Sequence, residues 1–233
     1  MIFENIPGWV FWASGAIIIA LFLKRLIVPK HANPLVALAK KIDFTLIEEH
    51  DYVLEHSLRD FFLLGNGKVS PKLFYVLSSR KGGLHMKIFD YNGTIFSRLF
   101  PKFLYQTMAF AEADAISFSE FVIVPKTVYW RFKSLFSKDV FVKEGIPSDF
   151  LRRFYLFVKK DKPVPGLRQE FFAIFLALGK PYSLEAQGRR FIFYSYNTII
   201  PVKHMEGFYK DFSVIASSLS QDMEKLPVQG SLY

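Results

Sequence analysis

The chain has 233 residues, of which 51% are hydrophobic and 18% aromatic, so it carries ample material for a packed core and is far from a disordered composition. It contains no cysteine, which excludes disulfides, thiolate metal sites and cysteine nucleophiles. Its 30 Lys and Arg against 21 Asp and Glu give a net charge of +9, which favours anionic partners: lipid headgroups, nucleic acid or an acidic protein surface.

The first predicted element is an uncharged apolar segment, residues 6–23, which is followed by Lys24, Arg25 and three more apolar residues. As a helix this segment spans about 27 Å, close to the hydrocarbon thickness of a bilayer. A cleaved signal peptide would need a basic region before the segment and a small-x-small site after it, and the sequence has neither. A buried core helix is usually amphipathic, whereas this segment is apolar all round. We therefore predict a transmembrane anchor over residues 6–28.

The residues around the anchor predict its orientation. Trp9 and Trp12 lie near its start, where amphipathic rings favour the headgroup level, and Gly15 would let another helix approach closely. Glu4 is the only charged side chain before the anchor. Four basic or titratable residues follow it: Lys24, Arg25, Lys30 and His31. The positive-inside rule then places the C-terminal side in the cytoplasm.

A short basic segment, residues 29–42, follows the anchor. Within it, Asn33 and Pro34 are typical of the cap and the first position of a helix, which we predict over 34–41. The next stretch, 48–56, is rich in acidic residues.

The middle of the chain predicts a sheet built from hairpins. Four strands are predicted: 73–77, 84–89, 105–111 and 116–124. Asn92-Gly93 predicts a turn. A helix over 104–115 is a competing interpretation, because the four alanines of this stretch are weak strand residues.

Beyond Pro125 the sequence predicts strands and helices in alternation. The elements are a short helix over 127–136, strands at 140–142 and 153–159, a helix over 167–178, a hairpin of 183–186 and 190–196, and a helix over 203–219. The two longer helices have apolar residues every three or four positions, such as Phe171 and Phe175.

Together these elements predict an α+β fold: a single transmembrane helix, then a cytoplasmic domain of antiparallel hairpins with helices packed to one side, over residues 43–219. Two halves, 43–125 and 138–219, each hold hairpins, although no residue-level similarity supports a duplication. The tail, 220–233, has no periodicity and is predicted to be loose.

Several short segments carry a resemblance to known proteins. They are Lys-Ile-Phe-Asp-Tyr at 87–91, Gln106-Thr107, Phe-Val-Ile-Val-Pro at 121–125, Asp149-Phe150 leading to Arg-Phe-Tyr-Leu at 153–156, and Leu-Glu-Ala-Gln-Gly at 184–188. In this order, after an N-terminal anchor, they resemble a group of uncharacterised bacterial single-pass inner-membrane proteins. The resemblance covers about 34–219 and implies a bacterial membrane protein with a soluble domain. It brings no catalytic residues.

Residue types used in catalysis and metal binding occur without the spacing that such sites need. His50 and His56 are six residues apart, which places them about 240° apart around a helix, so the stretch 48–56 is interpreted as a solvated acidic surface. The sequence has no nucleotide-binding loop and no nucleophile elbow. It therefore predicts no catalytic residue, no metal site and no cofactor.

The strongest charge feature is a basic region between Lys126 and Lys162, with ten basic and four acidic residues. The candidate residues for binding an anionic surface are Lys126, Arg131, Lys133, Arg152, Arg153, Lys159, Lys160 and Lys162. A competing interpretation is that these are ordinary solvated faces. Anionic lipid is the favoured ligand, since the anchor keeps the region near a bilayer, whereas no nucleic-acid-binding motif is present.

The sequence favours a membrane-anchored, non-catalytic subunit or adaptor of an inner-membrane assembly, with the lipid bilayer and a membrane or cytoplasmic protein as partners. A membrane-tethered enzyme and an anionic-lipid-binding module are the alternatives. An adaptor should present an exposed apolar or charged patch, and an enzyme a polar, concave site.

Overall fold

The computed structural model describes residues 34–62, 64, 71–96, 101–114, 117–129, 139–160 and 162–224. The predicted anchor and parts of the basic region lie outside these ranges, including Trp9, Trp12, Gly15, Lys24, Arg25, Arg131 and Lys133. Within the ranges that are described, no helix is both long enough and apolar enough to cross a bilayer.

The described residues form a mixed α+β fold, mostly antiparallel sheet, as the sequence predicts. The strands are β1 (Thr45–Ile47), β2 (Lys72–Lys81), β3 (Leu84–Phe96), β4 (Pro101–Ala113), β5 (Phe118–Pro125), β6 (Asp139–Phe141), β7 (Phe154–Lys159), β8 (Tyr182–Gly188) and β9 (Arg190–Ser195). The helices are α1 (Pro34–Ile42), α2 (Tyr52–Leu58), α3 (Lys126–Tyr129), α4 (Ser148–Arg153), α5 (Gln169–Ala177) and α6 (Val202–Glu224).

The strands make one sheet in the order β1-β2-β3-β4-β9-β8-β5-β7-β6. The hairpin of β9 and β8 inserts between β4 and β5, which are neighbours in sequence. Strands from both predicted halves, 43–125 and 138–219, therefore belong to the same sheet. Because all pairs are antiparallel, the start of each strand lies at the same edge as the end of its neighbour.

The sheet has a hydrophobic core on each face. On the first, the helical face, α1, α4, α5 and α6 pack against strand residues such as Ile88, Ala109 and Phe193. On the opposite face, α2 and the residues after it, including Leu58 and Phe61, pack against the alternate strand residues. The prediction that the helices lie to one side is therefore wrong for α2.

The stretch 104–115 is a strand as far as Ala113, and its alanines explain why the helical interpretation competed. Ala109, Ala111 and Ala113 all lie in the core of the helical face. Small side chains there leave room for the helices to approach the sheet, and this packing outweighs their weak strand propensity.

The turn predicted at Asn92-Gly93 is wrong, because β3 continues through it to Phe96. The ring of Tyr91 occupies the space that a side chain at position 93 would fill: a Cβ there would lie 2.5 Å from the Tyr91 hydroxyl. Gly93 therefore serves close packing inside a strand rather than a turn.

The acidic stretch 48–56 is not a uniformly solvated surface, which corrects the sequence interpretation. Asp51 caps α2 by accepting a hydrogen bond from the Leu54 backbone N–H at 2.9 Å. Its carboxylate also lies 2.5 Å from the Lys87 ammonium, and both side chains are more than nine-tenths buried. Glu55 is also buried and pairs with His50 and Arg59. The pair of Asp51 and Lys87 joins α2 to the sheet, and the pairs of Glu55 lie within the α2 segment.

Candidate functional site

β3 and β4 extend beyond the rest of the sheet as a two-stranded arm. β2 pairs with β3 only as far as Asn92, and β9 pairs with β4 only from Met108 onward. Residues 93–96 and 101–104 pair with each other and, among the described strands, with nothing else. We call these residues the arm, which is about 13 Å long at the usual rise of a strand.

One side of the arm and its root carries exposed aromatic rings. Phe103 is 79% exposed and Tyr105 is 47% exposed, and they share a face because they are two residues apart. In β2, Phe74 and Tyr75 are 38% and 60% exposed. Phe74 pairs with Asp90, which pairs with Thr107, so Phe74 faces the same side as Tyr105. We call Phe74, Phe103 and Tyr105 the aromatic face.

Next to the rest of the sheet, the other side of these strands is packed. Tyr91 and Leu104 are both buried there, in the core of the opposite face. Burial raises the pKa of Tyr91 to about 12, with a smaller contribution from the charge of Glu55. The strands that carry the aromatic face therefore contact the core of the opposite face through Tyr91 and Leu104.

Next to the arm, the buried polar residues Asp90 and Thr107 form hydrogen bonds that connect β3 and β4 to the segment before α6. The Thr107 hydroxyl donates to a carboxylate oxygen of Asp90 at 2.6 Å and accepts from the Ile200 backbone N–H at 2.8 Å. The Thr107 backbone N–H donates to the Thr198 carbonyl at 2.9 Å. Burial raises the pKa of Asp90, and the Thr107 hydrogen bond offsets part of this shift.

The side chain of Gln106 is completely buried beside these residues. Its carbonyl oxygen accepts from the Asn197 backbone N–H at 2.9 Å, while the Asn197 side chain accepts from the Tyr105 backbone N–H at 3.2 Å. Among the described residues, the Gln106 amide nitrogen has no hydrogen-bond partner. The segments Asp90-Tyr91 and Gln106-Thr107, quoted separately in the sequence analysis, thus meet as cross-strand pairs at the root.

A cleft of about 590 Å³ lies between the start of β8 and the start of α6, and the segment before α6 forms part of its lining. We call it the basic cleft. Three lysines and a histidine line it, Lys180, Lys203, Lys210 and His204, together with one carboxylate, that of Glu206. The carboxylate of Asp211, in α6, lies 2.6 Å from the Lys180 ammonium. It also accepts a hydrogen bond from the Tyr182 hydroxyl at 2.8 Å. Burial and this hydrogen bond raise the pKa of Tyr182.

The described members of the predicted basic region fall into two groups, at opposite ends of β7. Lys126, Arg152 and Arg153 lie at the end where β7 begins, and Lys159, Lys160 and Lys162 lie where it ends. The six residues of β7 separate the groups by about 20 Å. The structure therefore does not bring these candidate residues together into one patch.

Most of these cations already have a partner within the domain. At the first end, Lys126 lies 5.0 Å from the centre of the Tyr155 ring, and Arg152 pairs with Asp149. Arg153 donates to the Leu176 carbonyl at 3.4 Å. At the second end, Lys159 and Lys162 share one carboxylate, that of Glu120, which lowers its pKa.

A second cavity, of about 60 Å³, lies on the opposite face beside Glu120 and Glu185. The Tyr194 hydroxyl donates to Glu185 at 2.7 Å, and both side chains are buried. Burial raises the pKa of Tyr194 well above its usual range. Ligand pockets measure hundreds of cubic ångströms, so this space suits water rather than a substrate.

Neither the aromatic face nor the basic cleft was predicted from the sequence. Phe103 and Tyr105 are two residues apart, which was a usable signal for the first, although the predicted strand, 105–111, begins only at Tyr105. The cleft offered none, since Lys180 and Lys203 meet only through the packing of α6 on the sheet.

The arm, the aromatic face, the basic cleft and the group around Lys126 all lie along one edge of the sheet, which we call the arm edge. It carries the exposed rings of Phe74, Phe103 and Tyr105 and the cations Lys126, Lys180 and Lys203. No protein-family model matches this chain, and neither a search of curated proteins nor a search of solved structures found a match.

Proposed function

We propose that this protein is a membrane-anchored, non-catalytic subunit or adaptor that binds a protein partner through the aromatic face. The observation that carries the proposal is the exposure of Phe103 and Tyr105 on one side of β4, whose other side is packed at Leu104. Exposed apolar patches mark interaction sites, and aromatic residues are enriched among interface residues that contribute most to binding.

The proposed location is a bacterial inner membrane, with the N-terminus in the periplasm and the folded domain in the cytoplasm. It rests on the apolar segment 6–23 and on the basic residues after it. From Val28 to Pro34 there are six Cα–Cα steps, which span at most about 22 Å. A domain tethered so closely meets partners that lie in the same membrane or on its inner surface.

The geometry suits a protein partner with an apolar groove. Two rings that project from a packed strand pair can enter such a groove with little loss of conformational freedom. The positive charge along the arm edge would direct the domain towards an acidic partner surface.

Photo-crosslinking from single positions tests this proposal in the full chain, in its native membrane. A photoreactive amino acid replaces Phe103 in one variant, Tyr105 in a second, and Val53 in a control. Val53 is 75% exposed but lies in α2, on the opposite face. We expect one discrete protein adduct at 103 and 105 that is absent at 53. Equal adducts at all three positions, or adducts to lipid alone at 103, would contradict the proposal.

An anionic-lipid-binding module is the second candidate, favoured by the exposed Arg152 and Arg153 at the arm edge. Binding of the full chain to anionic vesicles should then weaken as salt screens the charges. Reversal of Lys126, Arg152 and Arg153 to Glu, at the arm edge, should reduce this binding more than reversal of Lys159, Lys160 and Lys162, which lie at the other end of β7. Equal binding to neutral vesicles would exclude this candidate.

A further inference from the structure

The basic cleft has the size and shape of a ligand site. Its volume of about 590 Å³ falls within the range of small-molecule pockets. Apolar residues, including Pro181, Ile200 and Phe208, supply part of its lining, and lysine side chains stand around it. It is thus a concave, partly apolar site with a few charged groups, the usual composition of a pocket for a charged small molecule.

The charges around the basic cleft do not cancel. Glu206 is shared by Lys41 at 2.5 Å and Lys210 at 3.1 Å, so one carboxylate faces two ammonium groups. Asp211 balances Lys180. Among the residues that the structure describes, no acidic side chain pairs with Lys203 or His204. The cleft therefore has an excess of positive charge and free donors at its rim.

The backbone adds to this preference for an anion. α6 begins at Val202, beside the cleft, and the start of a helix carries partial positive charge. The His204 backbone N–H already donates to the Pro201 carbonyl at 2.8 Å. His204 and Lys203 follow at once and are exposed. Lysine ammonium groups together with the start of a helix are a usual means of holding a phosphate.

We propose that the basic cleft binds a phosphate group, either on a small phosphate ester or in the headgroup of a phospholipid. Lys203, His204 and Lys210 supply the donors, and the apolar lining leaves room for the organic part of the molecule. This proposal is independent of the aromatic face, because it concerns different residues and a ligand of different chemistry.

Gly207 allows a test that alters no charge. It lines the cleft, and a Cβ built at this position meets no atom within 4 Å, so a side chain there would extend into open space. Gly207→Phe should fill the cleft, whereas Gly207→Ala should leave most of it free. Both substitutions are compatible with a helix, since glycine is the poorer helix former.

The experiment is titration calorimetry on the full chain in an uncharged detergent. The probes are inorganic phosphate, glycerol 3-phosphate and short-chain phosphatidic acid. The control is short-chain phosphatidylcholine, whose zwitterionic headgroup has a phosphodiester but no phosphate monoester and no net charge. The variants are Gly207→Phe, Gly207→Ala and Lys203→Glu. Lys160→Glu, which makes the same charge change at the far end of β7, is the matched control. Melting temperatures of all variants verify that they fold.

We expect at least one of the three probes, inorganic phosphate or the two phosphate monoesters, to bind the natural chain, and binding to weaken about tenfold or more in Gly207→Phe and in Lys203→Glu. Binding should change less than about twofold in Gly207→Ala and Lys160→Glu. A preference for phosphatidic acid over the two soluble probes would identify a lipid headgroup, and the reverse a soluble ester. Failure of all three to bind, or binding that survives Gly207→Phe, or an equal loss in Lys160→Glu, would overturn the proposal.

Discussion

At the residue scale, the arm depends on the absence of a side chain at Gly93. We predict that Gly93→Ala lowers the free energy of unfolding by about 1–3 kcal/mol, as overpacking of a filled site usually does. The added Cβ would lie 2.5 Å from the Tyr91 hydroxyl and 2.7 Å from two of its ring carbons, and Tyr91 is 2% exposed, so its ring has little room to move. Urea denaturation of the full chain in detergent measures the change.

A double-mutant cycle with Tyr91→Leu separates this clash from a general effect on the strand. The two positions are in contact, so their effects should not add: the double variant should lose less stability than the sum of the single variants. Additive losses would show that the ring of Tyr91 is not what excludes a side chain from position 93.

Asp90 gives a second prediction at this scale, in the pH dependence of stability. Burial raises the pKa of Asp90 in the folded protein, so the folded state binds its proton more tightly than the unfolded chain does. This contribution to stability is present at low pH and is lost as the pH rises. Asp90→Asn keeps an acceptor for the Thr107 hydroxyl and removes the ionisation.

The stability of Asp90→Asn relative to the natural chain should therefore increase as the pH is raised from about 4 to about 7. Denaturation of both proteins at each pH measures this difference. A difference that stays constant with pH, or that changes in the opposite direction, would mean that Asp90 is not held in a site that disfavours its charge.

At the element scale, α2 is held on the sheet by the buried pair of Asp51 and Lys87. Asp51→Asn keeps a good helix cap but leaves the Lys87 ammonium buried without its partner. We predict a loss of about 3 kcal/mol of unfolding free energy, the usual cost of breaking a buried ion pair. Urea denaturation followed by far-UV circular dichroism measures it.

The compensating variant is Lys87→Met combined with Asp51→Asn. Methionine matches the apolar surroundings, so the double variant should recover most of the stability that Asp51→Asn loses. If the double variant is no more stable than Asp51→Asn, the loss comes from the cap or from packing, and not from an unpaired charge.

The same element shows how far the sequence could predict the structure. The alternation Leu84, Met86 and Ile88 correctly predicts which side of β3 joins the core of the helical face. The other side of that strand carries Lys87 among buried aromatic residues, a signal for a buried partner that the sequence analysis did not use. For this reason Asp51 was predicted, wrongly, to belong to a solvated surface.

At the scale of the whole molecule, the α+β class was predictable and the strand order was not. Hairpin signals identify neighbours such as β8 and β9, because the turn joins them directly. The insertion of that hairpin between β4 and β5 depends on packing between distant segments, which no local pattern encodes. The basic cleft depends on the same packing, and so it too was beyond the reach of the sequence.

Membrane topology is the prediction that belongs to this scale. A reporter that is active only in the cytoplasm, fused after Tyr233, should be active, and the matching periplasmic reporter should be silent. The physical reason is the basic cluster around Lys24 and Arg25, which resists translocation. The reverse pattern of activities would place the folded domain in the periplasm and contradict the proposed location.

The proposed binding of a protein partner through the aromatic face can be tested by purification from native membranes in mild detergent. Three full-length proteins are compared: the natural chain, Phe103→Ser with Tyr105→Ser, and Tyr52→Ser with Val53→Ser. The control pair is 74% and 75% exposed, and it lies in α2 on the opposite face.

We expect the natural chain and the control variant each to elute with the same stoichiometric protein partner, and the variant of Phe103 and Tyr105 to elute alone. All three should have similar melting temperatures, because the substituted side chains are exposed. A natural chain that elutes as a lone monomer, or a partner that all three proteins retain equally, would contradict this proposal.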